Sequence, residues 1–302
     1  MPQIRYKNVS WNLPFLFISP ELLDLYFHVF QNYDVENPIK KLYGQIDNPW
    51  SACFLNLKFS KEELEQYFIF IKSKNICPVL NFSCYDIPNS KLKDEICNYL
   101  LDLIESQNGE VILSSDKLFK YIKKTHPNIK CVASEIKSVF ELKKGKEVKY
   151  YNELLKKFDR VILSPSYVKT TFLNDIEKYD DVSKFEVIIN NNCIIDCPNE
   201  KNHQKTLCEI TKSNYKNLKN IECFKNSLSL NKIIKNSTLL ETEEVDNLVN
   251  NVGIKHLTFK EEYCSIPLRF FSSLIQYTYI SNGNTQLLCR DVANALLSKG
   301  VL

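Results

Sequence analysis

The sequence predicts a (β/α)8 barrel of the TIM type, and three observations carry that expectation. Eight short apolar runs recur along the 302 residues, separated by segments with helical periodicity. Most runs are rich in Val, Ile, Leu and Phe on both parities, as strands covered on both faces must be. No linker or low-complexity tract divides the chain, so residues 1–302 read as one domain. A doubly wound open sheet would give the same alternation, and it stands as the alternative architecture.

In chain order the strand candidates are PFLFIS (14–19), KKLYGQI (40–46), CPVLNFS (77–83), EVILSS (110–115), IKCVASE (129–135), RVILSPS (160–166), FEVIINN (185–191) and IKHLTFKE (254–261). Between the second and third, SKEELEQYFIFIKSK repeats apolar residues every three or four positions, with Ser60 placed as an N-cap. NSKLKDEICNYLLDLIES shows the same period after the third, with Asn89 or Ser90 as its cap. Residues 191–253, between the seventh and eighth strands, are too many for an ordinary βα loop of about six residues. This elaboration includes a helix near ETEEVDNLVNNVG and leaves from a C-terminal strand end, the face on which barrels place their chemistry.

Composition narrows the functional classes. A net charge of +3 with interspersed Lys and Glu does not by itself argue for nucleic acid. The basic, tyrosine-bearing stretches YIKKTHPNIK and ELKKGKEVKYYNELLKK read as solvated helix faces. No apolar run approaches the roughly 18 residues of a membrane span, and the first residues lack a signal-peptide core, so a cytoplasmic protein without membrane contact is expected. Eleven cysteines without an export signal argue against a disulfide framework. Cys53, Cys77, Cys84, Cys97 and Cys131 lie in apolar runs and read as core, as do Trp11 and Trp50.

One stretch stands apart. IINNNCIIDCPNEKNHQKTLC places Cys193, Cys197 and Cys208 in a C-x3-C-x10-C pattern, with His203 among them and Cys223 following. Four thiolates suit tetrahedral zinc or an iron–sulfur cluster, and Cys3His suits zinc. Pro198 disfavours helix at Cys197 and so favours a turn that brings Cys193 and Cys197 together. Spacing alone leaves metal and ordinary cysteines evenly matched.

If the barrel closes, polar residues at its C-terminal strand ends converge: Asn81 and Ser83, Ser114 and Ser115, Ser134 and Glu135, Ser164 and Ser166, Asn190 and Asn192, and Lys260 with Glu261. Such a ring can take a polar substrate or phosphate, although for each member alone a cap or turn role is the better reading. A catalytic thiol needs a histidine beside it. Of the four histidines, His28, His126 and His256 lie in predicted helices or a strand, and His203 among the thiols suits a ligand better.

KFEVIINNNCIIDCPNEKNH, YYNELLKKFDRVILSPS, NIKCVASEIKSV and GIKHLTFKEEYCSIPLRFFSSLIQYTY together resemble segments of the collagenase-like U-class (U32) peptidase family, over roughly residues 75–280. In the last of them Lys260 and Glu262 are kept, while Tyr263 and Cys264 replace the family's Gly and Arg. The resemblance implies a barrel of the kind found in the family's ubiquinone-biosynthesis and tRNA-hydroxylation members. It further implies a four-iron four-sulfur cluster (4Fe-4S) on Cys193, Cys197, Cys208 and Cys223, with Cys264 competing for the fourth place. With it come redox modification of a small molecule or a nucleic acid base without oxygen, a partner protein of the same family, and little weight for peptidase activity. Independently of the resemblance, Glu135 and Glu262 are the carboxylates near the expected barrel mouth that suit acid–base or iron-linked work, and Lys260 stands with them as a catalytic candidate. A zinc-stabilised scaffold, or an enzyme of glycan or phage metabolism with structural thiols, are the alternatives.

Overall fold

The computed structural model describes residues 3–6, 8–14, 16–17, 39–52, 59–191, 193–212 and 228–260, with 277, 279–280, 290 and 294. Eight parallel strands close into a barrel. They are β1 (Ser10–Leu13), β2 (Ile39–Gly44), β3 (Cys77–Phe82), β4 (Glu110–Leu113), β5 (Lys130–Ala133), β6 (Arg160–Ile162), β7 (Phe185–Ile188) and β8 (His256–Thr258). Closure comes from β8, which pairs with β7 on one side and β1 on the other. The first strand is therefore not residues 14–19 as the hydrophobic pattern suggests, but the less apolar SWNL before them.

Helices fill the crossovers in the expected places: α1 (Lys61–Ser73), α2 (Glu95–Ser106), α3 (Asp116–Thr125), α4 (Glu135–Glu141), α5 (Glu147–Leu155), α6 (Pro165–Thr170) and α7 (Phe172–Asp175). Ser60 starts α1 with a capping box: its Oγ accepts from the Glu63 N–H at 3.1 Å, and a Glu63 carboxylate oxygen accepts from the Ser60 N–H at 2.7 Å. The cap of α2 is Asp94, not Asn89 or Ser90; residues Asn89–Lys91 form a separate 3-10 turn. Both helices bury a stripe spaced three and four apart, Leu64, Tyr67, Phe68 and Ile71 on α1 and Cys97, Leu100, Leu101 and Ile104 on α2. That stripe packs on the outer face of the barrel, where Trp11, Trp50, Phe82, Phe172 and Phe185 are fully enclosed. No helix of the described residues is long and apolar enough to cross a membrane.

The lumen has its own core. Tyr43, Val79, Ile112, Val132, Ile162 and Ile188 form a cluster separate from the main one. Side chains two apart on a strand share a face, so these six fix which residues point inward on β2 to β7. Two positions earlier lie Lys41, Cys77, Glu110, Arg160 and Glu186, and two positions later lie Gln45, Asn81, Ser114, Ser134, Ser164 and Asn190. The barrel is thus filled in three tiers: an ionic floor at the N-terminal end, an apolar plug, and a polar top.

The floor is a closed network. Arg160 donates from Nε to Glu186 at 3.0 Å and from Nη1 and Nη2 to the two oxygens of Glu110 at 2.9 and 2.6 Å. Lys41 meets both Glu110 oxygens at 2.8 Å, while Glu186 also accepts from Asn12 at 3.0 Å and from the Thr258 hydroxyl. Every charge here has an opposite partner, which a buried ion requires.

Candidate active site at the barrel mouth

The mouth is built from residues that follow the strands. Four members of the expected polar ring hold the scaffold. Ser115 caps α3, and Ser134 caps α4, its Oγ accepting from the Ile136 N–H at 3.1 Å. Ser83 accepts from the Ala52 N–H at 2.9 Å and donates to Gln45 at 3.1 Å. Ser166 accepts from the Asp196 N–H at 3.1 Å and so ties α6 to the cysteine loop. Asn192, Glu261 and Glu262 lie outside the described residues.

A different subset carries unpartnered polar atoms. The Oδ1 of Asn81, the Oγ of Ser114 and the Nδ2 of Asn190 are enclosed and make no hydrogen bond within the protein. Ser114 is 0% and Asn190 3% exposed. The Lys260 N–H donates to Asn190 Oδ1 at 2.6 Å, which fixes the amide and leaves its NH2 as the unmatched end. Enclosed polar atoms normally have partners in protein or ordered water, and these three stand two positions beyond the plug residues Val79, Ile112 and Ile188.

Charge gathers on the rim above. Lys260, at the end of β8, and Glu135, the first residue of α4, approach to 3.5 Å. The sequence reading named both, and the fold brings them together across the opening. It did not name Glu200, which begins helix α8 (Glu200–Lys212). Burial raises the Glu200 carboxyl above its ordinary value, Lys260 opposes this, and Glu135 and Asp196 add to it. No motif announces Glu200; its place depends on the path of the loop before it.

That loop is well anchored. Thr238 N–H donates to the Cys193 carbonyl at 3.0 Å, Ile195 N–H to the Asn236 carbonyl at 2.7 Å, and Ile194 bridges Ser237. Asp196 takes a left-handed turn at φ 49° and Cys197 stays outside the helix, as Pro198 predicts. Cys193 and Cys197 are both half-buried on this turn. Burial, and then the neighbouring Cys197, push the Cys193 thiol up to about 11. Cys208 is elsewhere: it packs in the main hydrophobic core from the buried face of α8. His203 is half-buried on α8, and Cys223 and Cys264 lie outside the described residues. Among the described residues, no three His, Cys, Asp or Glu side chains gather as a metal site.

Of the other histidines and expected core cysteines, His28 and Cys53 lie outside the described residues, and the rest are structural groups. His126 bridges Asp102 at 3.0 Å at the end of α3, and Cys84, Cys97 and Cys131 are buried. His256 lies beside the ionic floor, remote from the mouth by the length of β8.

No protein-family model matches the chain, and no curated protein sequence matches it. Among solved structures, it is similar to the U32 peptidase Mk0906, with a TM-score of 0.50 and 12% identity, covering 84% of this chain and 92% of that one. It is also similar to a GH113 β-1,4-mannanase (TM-score 0.42, 9% identity, 85% of this chain and 88% of that one). A third similar structure is the carboxyl transferase domain of Rhizobium etli pyruvate carboxylase (TM-score 0.37, 10% identity, 99% and 62%). The chain shares its closed eight-stranded barrel, with helices between the strands, with a U32 peptidase.

Proposed function

We propose that the chain is an enzyme that binds a small polar molecule in the barrel mouth and works on it by proton transfer. The observation that carries this reading is the Glu135–Lys260 pair at 3.5 Å, set beside a Glu200 carboxyl that burial raises. Two carboxyls in unlike surroundings divide the labour of acid–base chemistry. We assign Glu200, whose carboxyl burial raises, as the proton donor, and Glu135, beside the Lys260 ammonium, as the acceptor. Lys260 also has its backbone locked by Asn190, so its ammonium is held over the polar top. The test is incubation of the protein with a small-molecule cell extract, read by mass spectrometry beside Glu200→Gln and Lys260→Met variants. Metabolites consumed by the parent and spared by both variants support the reading. Equal consumption by all three, with the Glu200 carboxyl titrating at its ordinary value by carbon-13 NMR, refutes it.

The second reading is the redox barrel that the family resemblance implies, and Cys193 with Cys197 on the same rim favours it. The described residues supply two neighbouring thiols and no complete ligand set. Cys208 packs in the main hydrophobic core, so a 4Fe-4S cluster or zinc would draw its other ligands from Cys223 and Cys264. Such a centre would supply electrons, or hold the loop closed, for modification of a small molecule or nucleic acid base. Protein purified without oxygen tests it. Iron with absorbance near 400 nm, lost in Cys193→Ala and Cys197→Ala, supports a cluster. Zinc without that absorbance supports a structural ion, and metal-free protein refutes both.

A further inference from the structure

We infer that Cys193 and Cys197 are a reversible redox pair, and that their disulfide locks the turn leading to Glu200. Its consequence for the mouth rests on the acid–base reading; the bond itself does not. The two cysteines flank a turn at Ile195–Asp196, where Asp196 is left-handed at φ 49°. A residue other than glycine keeps that conformation only where its surroundings hold it. Here the Ile195 N–H donates to the Asn236 carbonyl at 2.7 Å, and the Asp196 N–H to Ser166 Oγ at 3.1 Å.

Each cysteine is fixed from its own side of the turn. The N–H and the hydroxyl of Thr238 both donate to the Cys193 carbonyl, at 3.0 and 3.1 Å. The Cys197 carbonyl accepts from the Glu200 N–H at 3.2 Å, at the start of α8. Both side chains are half-buried, and the Cys193 thiol lies within electrostatic range of Cys197. A disulfide needs its two Cα atoms about 4.4–6.8 Å apart, a separation that residues on either side of a tight turn meet. Cys208 packs in the hydrophobic core and does not compete. The oxidant is a low-molecular-weight disulfide. One protein thiolate attacks a sulfur of the reagent, whose other half leaves as a thiolate. The second protein thiol, as its thiolate, then attacks the mixed disulfide and expels the remaining half. The protein loses an S–H bond from each cysteine and gains one S–S bond; the reagent takes the electron pair and leaves as thiols. Tying Cys197 to the anchored Cys193 fixes the first residues of α8, and with them the Glu200 carboxyl beside Lys260 and Glu135.

The full chain, prepared with a chelator, is incubated with oxidised glutathione, alkylated, digested without reduction and read by mass spectrometry. The expected product is a peptide holding Cys193 and Cys197 joined, lighter by their thiol hydrogens, and restored by dithiothreitol. The same bond should form in Cys208→Ser, Cys223→Ser and Cys264→Ser, whereas Cys193→Ser should leave Cys197 as a glutathione adduct. Hydrogen exchange at residues 195–200 should slow about tenfold on oxidation of the parent and not in Cys193→Ser. Free thiols, a lasting glutathione adduct in the parent, pairing with another cysteine, a metal that stays on the pair, or unchanged exchange overturns the inference. None of these readouts uses a substrate, so they stand apart from the metabolite test. Where that test shows consumption, oxidation should change the rate in the parent and not in Cys197→Ser, and an equal rate overturns the link to Glu200.

Discussion

Arg160→Met removes the centre of the ionic floor, and its cost can be worked from the contacts. The guanidinium reaches Glu110 with two bonds and Glu186 with one, and all three residues are at most 6% exposed. Removing one partner of such a buried pair costs about 3–5 kcal/mol, because the other charge stays enclosed without compensation. Glu110 keeps Lys41, and Glu186 keeps Asn12 and Thr258, so the lower part of that range, about 3–4 kcal/mol at neutral pH, is expected. With an unfolding entropy of about 2.1 cal/mol/K per residue, a chain of 302 residues loses about 5–6 °C in Tm.

The pH dependence makes the prediction sharper. Burial by itself would raise the Glu186 carboxyl, but the charges of Arg160 and Lys41, then the bonds from Asn12 and Thr258, outweigh it and hold it down from 4.5 to about 2. A carboxyl lowered by folding stabilises the fold above its unfolded value, and that contribution is lost as pH falls from about 4.5 through about 2. In Arg160→Met the largest counter-charge is gone, so the carboxyl is held down less and this contribution shrinks. The Tm gap between parent and variant is therefore widest at neutral pH and narrows as pH falls from about 4.5 toward about 2. Thermal melts followed by circular dichroism across that range check it. A gap below about 2 °C at pH 7, or one that is constant or widens on acidification, refutes the reasoning.

Three further outcomes follow from the same contacts. Burial, then Arg160, lowers His256 from 6.5 to about 4, so its imidazole stays neutral while the unfolded chain takes up a proton; NMR should show its ring shifts flat from pH 7 to pH 5, and His256→Asn should weaken the loss of stability between 6.5 and about 4. A Cβ at Gly109 would lie 2.6 Å from the Pro78 carbonyl oxygen, so Gly109→Ala should cost about 1–3 kcal/mol in urea unfolding. The Cys193 thiol, pushed up to about 11 by burial and by Cys197, should react with iodoacetamide at pH 8 about tenfold or more below a free cysteine, and faster once Cys197→Ser removes the neighbouring thiol.

Much of the barrel was legible because its strands are covered on both faces and so read as continuous apolar runs. The first strand was misread for a physical reason. Its Asn12 faces inward onto Glu186, so SWNL lacks the apolar pattern, while the neighbouring PFLFIS has it. The ionic floor was missed likewise: Glu110, Arg160 and Glu186 look like strand-end charges until closure turns them onto one another. Their spacing two residues before Ile112, Ile162 and Ile188 was the available signal. At the mouth, Glu135 and Lys260 were legible because strand ends of a barrel must converge. Glu200 was not, since it arrives on a loop whose path Thr238 and Ser166 set from distant parts of the chain. Cys208 was grouped with Cys193 and Cys197 by spacing, but helix α8 turns it to the core.

The three tiers also separate stability from chemistry. The cluster of Tyr43, Val79, Ile112, Val132, Ile162 and Ile188 stands between Arg160 and Asn190. Packed apolar layers transmit shape but not protons, and sites that share no partner act additively to within about 0.5 kcal/mol. The floor carries charge that never meets a ligand, as the N-terminal face of a barrel does, and the top carries unmatched polar atoms that contribute little to folding. Arg160→Met should consequently lower Tm while leaving ligand binding at the mouth intact, whereas Asn190→Leu should weaken binding and lower Tm on its own account, since it strips the Lys260 N–H of its acceptor. The double variant should show the sum of the two effects on stability, measured by urea unfolding of all four proteins. A coupling larger than about 1 kcal/mol would mean that the plug is a two-state element linking the tiers, and the division between scaffold and site would fall.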